Sequence, residues 1–180
     1  AMGYSTTASA EASTAMGYGT TASARSSTAM GESTTASGSY STAMGESTSA
    51  SGHYSTAMGK SSIASGGVSI AMGSGTTASG NSSTAMGAGT IASDYGSTVI
   101  GQNNSSGSSV TNSAWFFNTA NTAFVIGNGT DSSNKSDAFK VMFNGDTTVS
   151  NDLTVSGDVV ISSDARLKSN IVSLGSTLPK

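Results

Sequence analysis

One sequence feature constrains this chain more than any other, because the tripeptide Ala-Met-Gly returns every 14 residues from the N-terminus onward. Its methionines are Met2, Met16, Met30, Met44, Met58, Met72 and Met86, and Val99-Ile100-Gly101 continues the series. An Ala-Ser pair keeps the same period, from Ala8-Ser9 to Ala92-Ser93. The alignment needs no gap over about 101 residues, which indicates an ordered repeat array.

Each 14-residue unit consists of two similar halves. Thr28-Ala29-Met30-Gly31 is followed seven residues later by Thr35-Ala36-Ser37-Gly38, and each half is typical of a short strand that ends in a glycine turn. A helix is disfavoured, because glycine in every unit and abundant serine and threonine are unfavourable inside helices. The pattern predicts a β-solenoid whose equivalent positions stack about 4.8 Å apart. The variable residues after each turn, such as Tyr18 and Arg25, are expected in solvent.

The composition predicts that one such solenoid needs a partner. Only 26 of the 180 residues are Leu, Ile, Val or Phe, and the formal net charge is −3. Burial of one Met and two Ala per unit removes little apolar surface from water, and backbone hydrogen bonds narrow the gap to the entropy cost of ordering the unit without clearly closing it. Neighbouring Ala and Met face opposite sides of a strand, so we expect one side to line the solenoid and the other to meet sister chains. Methionine and alanine are expected to line the coil, and the methionine column is predicted to be core.

The run from Ser13 to Ala24 and its six siblings resemble the head repeats of YadA-like trimeric autotransporter adhesins. This resemblance covers residues 1 to about 101 and implies an all-β fold, a left-handed parallel β-roll that is homotrimeric. It also implies an extracellular protein that adheres to an unknown receptor, either a glycan or a matrix or envelope protein. Met stands where the family commonly has Ile or Val. The implied core and trimer residues are Met2, Met16, Met30, Met44, Met58, Met72, Met86 and Ile100.

Past Gly101 the repeat loses its phase, which predicts three further regions. Residues 102–113 form a Ser/Asn/Gly-rich connector. Residues 114–162 form a β-rich stalk or neck, in which Ala138 to Phe143 alternates as a half-buried strand does. Asn128-Gly129 and Asn144-Gly145 are predicted turns.

Residues 163–180 carry a second resemblance. Ser163 to Ile171 resemble the opening of the intramolecular chaperone autoprotease domain of phage tailspikes and tail fibres. By that resemblance Ser163 is the nucleophile and Lys168 its base. Because only the start of that domain is present, no activity is expected from this segment. The resemblance therefore leaves two locations open for the protein, a virion tail fibre and a bacterial cell surface.

Side chains that face solvent provide the candidate binding residues. The tyrosines are expected as an exposed stripe, for which adhesive contact and ordinary surface packing both remain open: Tyr4, Tyr18, Tyr40, Tyr54 and Tyr95. Trp115, Phe116 and Phe117 are interpreted as a hydrophobic plug at the trimer axis in preference to a carbohydrate platform. His53 is interpreted as a solvated surface residue, and the aspartates beyond residue 130 as turn residues and not calcium ligands.

Composition also argues against several functions. No cofactor or metal site is predicted, because there is no cysteine and a single histidine. The seven basic residues are scattered, so we expect no nucleic-acid partner. No apolar run reaches the roughly 18 residues of a membrane span, so no membrane insertion is expected. No enzyme activity is expected beyond self-cleavage in a longer form. One alternative from another class is ice binding by a flat threonine face made of Thr6, Thr20, Thr34, Thr48, Thr76 and Thr90.

Overall fold

The computed structural model describes residues 1–156, and these residues form strands and turns without a helix. Within the repeats a long strand alternates with a two-residue strand. The long strands are β1 Met2–Tyr4, β3 Thr14–Tyr18, β5 Thr28–Glu32, β7 Thr42–Glu46, β9 Thr56–Lys60, β11 Ile70–Ser74, β13 Thr84–Ala88 and β15 Thr98–Gln102. The short strands are β2 Thr7–Ala8, β4 Thr21–Ala22, β6 Thr35–Ala36, β8 Ser49–Ala50, β10 Ile63–Ala64, β12 Thr77–Ala78 and β14 Ile91–Ala92. Three strands follow: β16 Thr122–Asn128, β17 Asp137–Met142 and β18 Thr147–Val149.

The strands form two parallel ladders that together make a flattened coil. Long strands pair only with long strands in an 11-stranded sheet, and the short strands form a seven-stranded sheet. Identical repeat positions are in register, as with Met30 opposite Met44 and Ala36 opposite Ala50. The predicted all-β fold and parallel solenoid of 14-residue coils are therefore confirmed.

The interior of the coil is filled by small residues. Its fully buried members are alanines at two positions per coil, with serine and threonine at two more. The alanines are Ala15, Ala22, Ala29, Ala36, Ala43, Ala50, Ala57, Ala64, Ala71, Ala78, Ala85 and Ala92, and Val99 and Val125 close the series. The threonines and serines include Thr20, Thr34, Thr48, Thr76, Thr90, Ser27, Ser41, Ser55, Ser69, Ser83 and Ser97.

Methionine does not line the coil, which corrects the expectation that it forms part of the interior. In β3, Ala15 points inward and Met16 points to the outer face of the sheet, because successive strand residues face opposite sides. Met16, Met72 and Met86 are 37–38% exposed in the single chain, and Met2 is 67% exposed. A coil closed by a two-residue strand encloses only small side chains, namely alanine, serine, threonine and, at its end, valine.

Glycine is required where neighbouring coils approach most closely. Gly31 has φ +120°, and a Cβ atom there would lie 2.0 Å from the carbonyl oxygen of Gly45 in the next coil. The same arrangement recurs at Gly17 and Gly59. No side chain fits this position, which explains why the glycine after methionine never varies.

The long-strand sheet continues beyond Gly101, where the sequence repeat loses its phase. Strand β16 pairs in parallel with β15, and Val125, Ile126 and Gly127 lie opposite Val99, Ile100 and Gly101. Strand β17 then pairs antiparallel with β16, and β18 antiparallel with β17. The predicted boundary at residue 101 is therefore not a boundary of the sheet. The predicted turn at Asn144-Gly145 is present between β17 and β18.

Residues 103–121, here called the insert, cover the last coil instead of forming a free connector. The side-chain amide of Asn104 accepts from the N–H of Ile91 (2.8 Å) and donates to its carbonyl (2.9 Å), as a further short strand would. Buried Asp94 accepts from the N–H groups of Thr111 (2.6 Å) and Thr122 (2.8 Å). These bonds hold the insert against the end of the short-strand sheet.

The rest of the predicted stalk, Ser163 and Lys168 lie outside the described residues.

Candidate binding surfaces

The last residue of each long strand in the repeats belongs to one variable column of side chains. Here a column means residues at the same position in successive coils. Tyr4 and Tyr18 stack with ring centroids 5.2 Å apart and an interplanar angle of 9°. Further along the same column Lys60 forms an ion pair with Glu46 at 3.3 Å. These residues are exposed, as predicted.

The turn that follows each short strand presents a second pair of aromatic rings at the other edge of the coil. Tyr40 and Tyr54 stack with centroids 4.9 Å apart and an angle of 3°. The guanidinium of Arg25 lies 6.0 Å from the centroid of Tyr40 and forms an ion pair with Glu11 at 3.5 Å. His53 is exposed beside Tyr54.

The five tyrosines do not form the single stripe that the sequence predicted. Tyr4 and Tyr18 end long strands, whereas Tyr40 and Tyr54 lie in the opposite turn. Tyr95 is half-buried and its backbone N–H donates to the carbonyl of Ser113 in the insert. The structure therefore brings the tyrosines together as two separate stacked pairs.

The turn of Tyr40 and Tyr54 has a left-handed backbone in every coil. The φ angles are 60° at Tyr40, 58° at Tyr54 and 56° at Val68. Glycine or small polar residues adopt this conformation most easily, and a β-branched residue there is an outlier. Ser26, Ser82 and Gly96 occupy the same position in other coils. The three bulky residues thus stand at a position that disfavours them.

The insert exposes three consecutive aromatic side chains. Trp115, Phe116 and Phe117 are 67%, 77% and 61% exposed, and Phe117 makes an edge contact with Phe143 at a centroid distance of 5.2 Å. The predicted hydrophobic plug lies at the axis of a trimer, and a single chain has no such axis. The plug therefore stays a prediction.

The threonines proposed as an ice-binding face lie inside the coil. Thr20, Thr34 and Thr90 are fully buried, and their hydroxyl groups have no hydrogen-bond partner among the described residues. Thr48 and Thr76 are buried as well, and Thr6 is half-buried. The alternative of an ice-binding face made of these residues is therefore wrong, because an ordered layer of water cannot reach buried threonines.

The aspartates described by the structure serve local or connecting roles. Asp131 is an exposed turn residue, and hydrogen bonds from the side chain of Asn134 and the N–H groups of Ser133 and Asn134 lower its pKa. Asp137 differs from the predicted turn role, because its carboxylate accepts from the N–H groups of Ser105 and Ser106 in the insert. Within residues 1–156, no three acidic or histidine side chains cluster as metal ligands would.

A continuous apolar column runs along the outer face of the 11-stranded sheet. Each member lies directly opposite the next across the strand pairs. We call this set the outer apolar column: Met2, Met16, Met30, Met44, Met58, Met72, Met86, Ile100, Ile126, Phe139 and Val149. It crosses the insert and the change from parallel to antiparallel pairing without interruption. At about 4.8 Å per strand it extends for roughly 50 Å.

The sequence analysis missed the last three members of this column. A signal for Ile126 was present, because Val125-Ile126-Gly127 repeats Val99-Ile100-Gly101 after 26 residues instead of 14. No comparable signal marked Phe139 or Val149, since their strands run in the antiparallel direction.

The described surface offers no concave site. No pocket is found in residues 1–156. No helix in this part of the chain is long and apolar enough to cross a membrane.

These features define the class of the protein: a repeat β-solenoid with variable turns and an apolar outer sheet face. The family model of the YadA head domain repeat (2 copies) matches residues 1–20, 22–48, 50–76 and 78–104. The chain therefore belongs to the YadA head-repeat family, a family of structural adhesin domains and not of enzymes. No match is found among curated proteins. Head domains of this family are surface-exposed and extracellular.

Proposed function

We propose that the chain is the head and neck of a homotrimeric adhesive fibre, which binds a receptor on a host or other surface through its variable turns. The outer apolar column carries this proposal. It leaves methionine, isoleucine, phenylalanine and valine partly exposed along the whole described sheet, and a stripe of this length on a soluble protein indicates an interaction surface. A second copy in parallel register has the same spacing between coils.

Assembly through this column is tested by measuring the mass of the full chain in solution by light scattering after gel filtration. We expect about three times 17.6 kDa. Met44→Glu places a charge in the column and should dissociate the assembly, because a buried unpaired charge is strongly unfavourable. Thr35→Glu, on the outer face of the short-strand sheet, is the matched control and should leave the mass unchanged. A well-folded wild-type monomer would contradict the proposal.

Adhesion is tested separately with beads that carry the purified chain. The beads should bind to epithelial cell monolayers more than beads that carry an unrelated protein of similar charge. Equal binding by both kinds of bead would remove the adhesive part of the proposal.

A virion tail fibre that binds a receptor remains the second candidate, because Ser163 to Ile171 resemble the start of a self-cleaving chaperone domain. A longer version that includes this whole domain would release a fragment that begins near Ser163, and mass spectrometry would detect it. An uncut product with an intact Ser163 and Lys168 would remove this candidate.

A further inference from the structure

We propose that Tyr40, Tyr54 and Val68 form a contact ridge for the apolar groove of a folded protein partner. This inference rests on the proposed adhesive function and names the surface and the chemistry of the partner. The three residues lie in consecutive coils at the same turn position. They are 43%, 59% and 59% exposed.

The turn itself does not require bulky side chains at these three positions. Their left-handed backbone favours glycine, and the same position holds Ser26, Ser82 and Gly96 in coils that close equally well. About half of their surface stays exposed, so the chain itself covers only part of it. Bulky side chains on a backbone conformation that disfavours them, at a position that other coils fill with serine or glycine, indicate a role other than folding.

The arrangement of the rings favours a protein over a glycan. One face of Tyr40 is covered by Tyr54 at 4.9 Å, and Arg25 lies over Tyr40 at 6.0 Å. The two rings are nearly parallel and stack at about the spacing of the coils, so their faces are turned toward neighbouring coils. A sugar ring stacks on an open aromatic face, and this ridge offers none between its coils.

The shape of the surface also favours a folded protein as the partner. Ligands that are small enough to be enclosed bind in concave sites, and residues 1–156 contain no pocket. A ridge that spans three coils, roughly 10 Å at about 4.8 Å per coil, inserts into a groove that the partner supplies. Aromatic side chains that fill such grooves are typical centres of protein interfaces.

The test uses beads that carry the full chain and epithelial monolayers that are untreated, treated with trypsin, or treated with glycosidases. The triple variant Tyr40→Ser, Tyr54→Ser, Val68→Ser should bind at least tenfold less than wild type. The matched control Thr21→Ser, Thr35→Ser, Thr77→Ser alters three half-buried threonines on the short strands, away from the variable turns, and should bind as wild type does. Trypsin treatment of the monolayers should abolish binding of the wild-type beads, and glycosidase treatment should leave this binding unchanged.

Loss of the fold is distinguished from loss of the ridge by thermal unfolding. Serine is native at this position in other coils, so the triple variant should still fold and unfold cooperatively, although it loses the stack of Tyr40 on Tyr54. The single variant Val68→Gly should melt higher and bind less. A triple variant that binds normally, or binding that glycosidases remove and trypsin spares, would overturn the ridge while leaving adhesion in place. Wild-type beads that bind no cells would refute the adhesive function itself, and the ridge with it.

Discussion

At the scale of single residues, the glycine after each methionine determines how closely the coils can stack. We predict that Gly31→Ala lowers the free energy of unfolding by about 3 kcal/mol or more, because its Cβ would lie 2.0 Å from the Gly45 carbonyl oxygen at φ +120°. Urea denaturation measures the change. Gly19→Ser is the control, since a Cβ at Gly19 meets nothing closer than 3.8 Å. A similar loss in both variants would show that backbone flexibility matters more than contact between coils.

The buried hydroxyl groups lead to a prediction of the opposite sign. Thr34 has no hydrogen-bond partner for its hydroxyl, whereas the hydroxyl of Thr76 donates to Ser62 at 2.9 Å. Thr34→Val keeps the shape and removes an unsatisfied polar group, so we expect unchanged stability or a gain of up to about 1–2 kcal/mol. Thr76→Val should instead lose about 1 kcal/mol. Guanidinium denaturation of both variants checks the difference, and equal losses would contradict it.

The alternation of alanine and methionine predicts only part of how the side chains are buried. Alternation along Ala15 and Met16 indicates that the two side chains face opposite sides, but it does not say which side is enclosed. The answer depends on the width of the coil, which a two-residue return strand makes too narrow for methionine. For the same reason threonine, which reads as a surface residue, is buried at Thr34.

At the scale of elements, the insert lies at the end of the short-strand sheet, whereas the long-strand sheet continues beyond it into β16. Asn104 satisfies the backbone of Ile91 with both ends of its amide. We predict that Asn104→Ala raises the hydrogen-exchange rate of the Ile91 amide and lowers stability by about 2 kcal/mol, since two backbone groups lose their partner. Asn112→Ala, in the exposed part of the insert, is the control. Unchanged exchange at Ile91 in both variants would mean that the insert does not protect the edge.

The head repeats end near Gly101, but the long-strand sheet continues into β16. The repeat was found by its fixed period, and a fixed period fails when one turn is longer than the others. The backbone pairing of Val125-Ile126-Gly127 tolerates the longer connection, because its side chains still match those of Val99-Ile100-Gly101. The polar side chains that hold the insert, Asp94 and Asn104, are common turn residues and carry no mark of burial in the sequence.

At the scale of the whole molecule, the outer apolar column joins the repeat region to the neck as one surface. Phe139 lies opposite Ile126, and Ile126 lies opposite Ile100, so the column passes from parallel to antiparallel strands on one face. The neighbouring Lys140 pairs with Val125 and faces the other way. If sister chains cover this column, head and neck assemble in a single register and do not form separate interfaces.

A pair of charge substitutions in one strand tests this single interface. We predict that Phe139→Glu dissociates the assembly as Met44→Glu does, although the two sites lie in different parts of the chain, because each places an unpaired carboxylate in the same column. Lys140→Glu makes a larger change in charge than Phe139→Glu does. Its side chain is on the face of the strand opposite the outer apolar column, so the variant should leave the mass in solution unchanged. Light scattering and sedimentation velocity distinguish the species. If Phe139→Glu leaves a stable trimer while Met44→Glu does not, the neck is not part of the interface, and the apolar residues beyond Ile100 need another explanation.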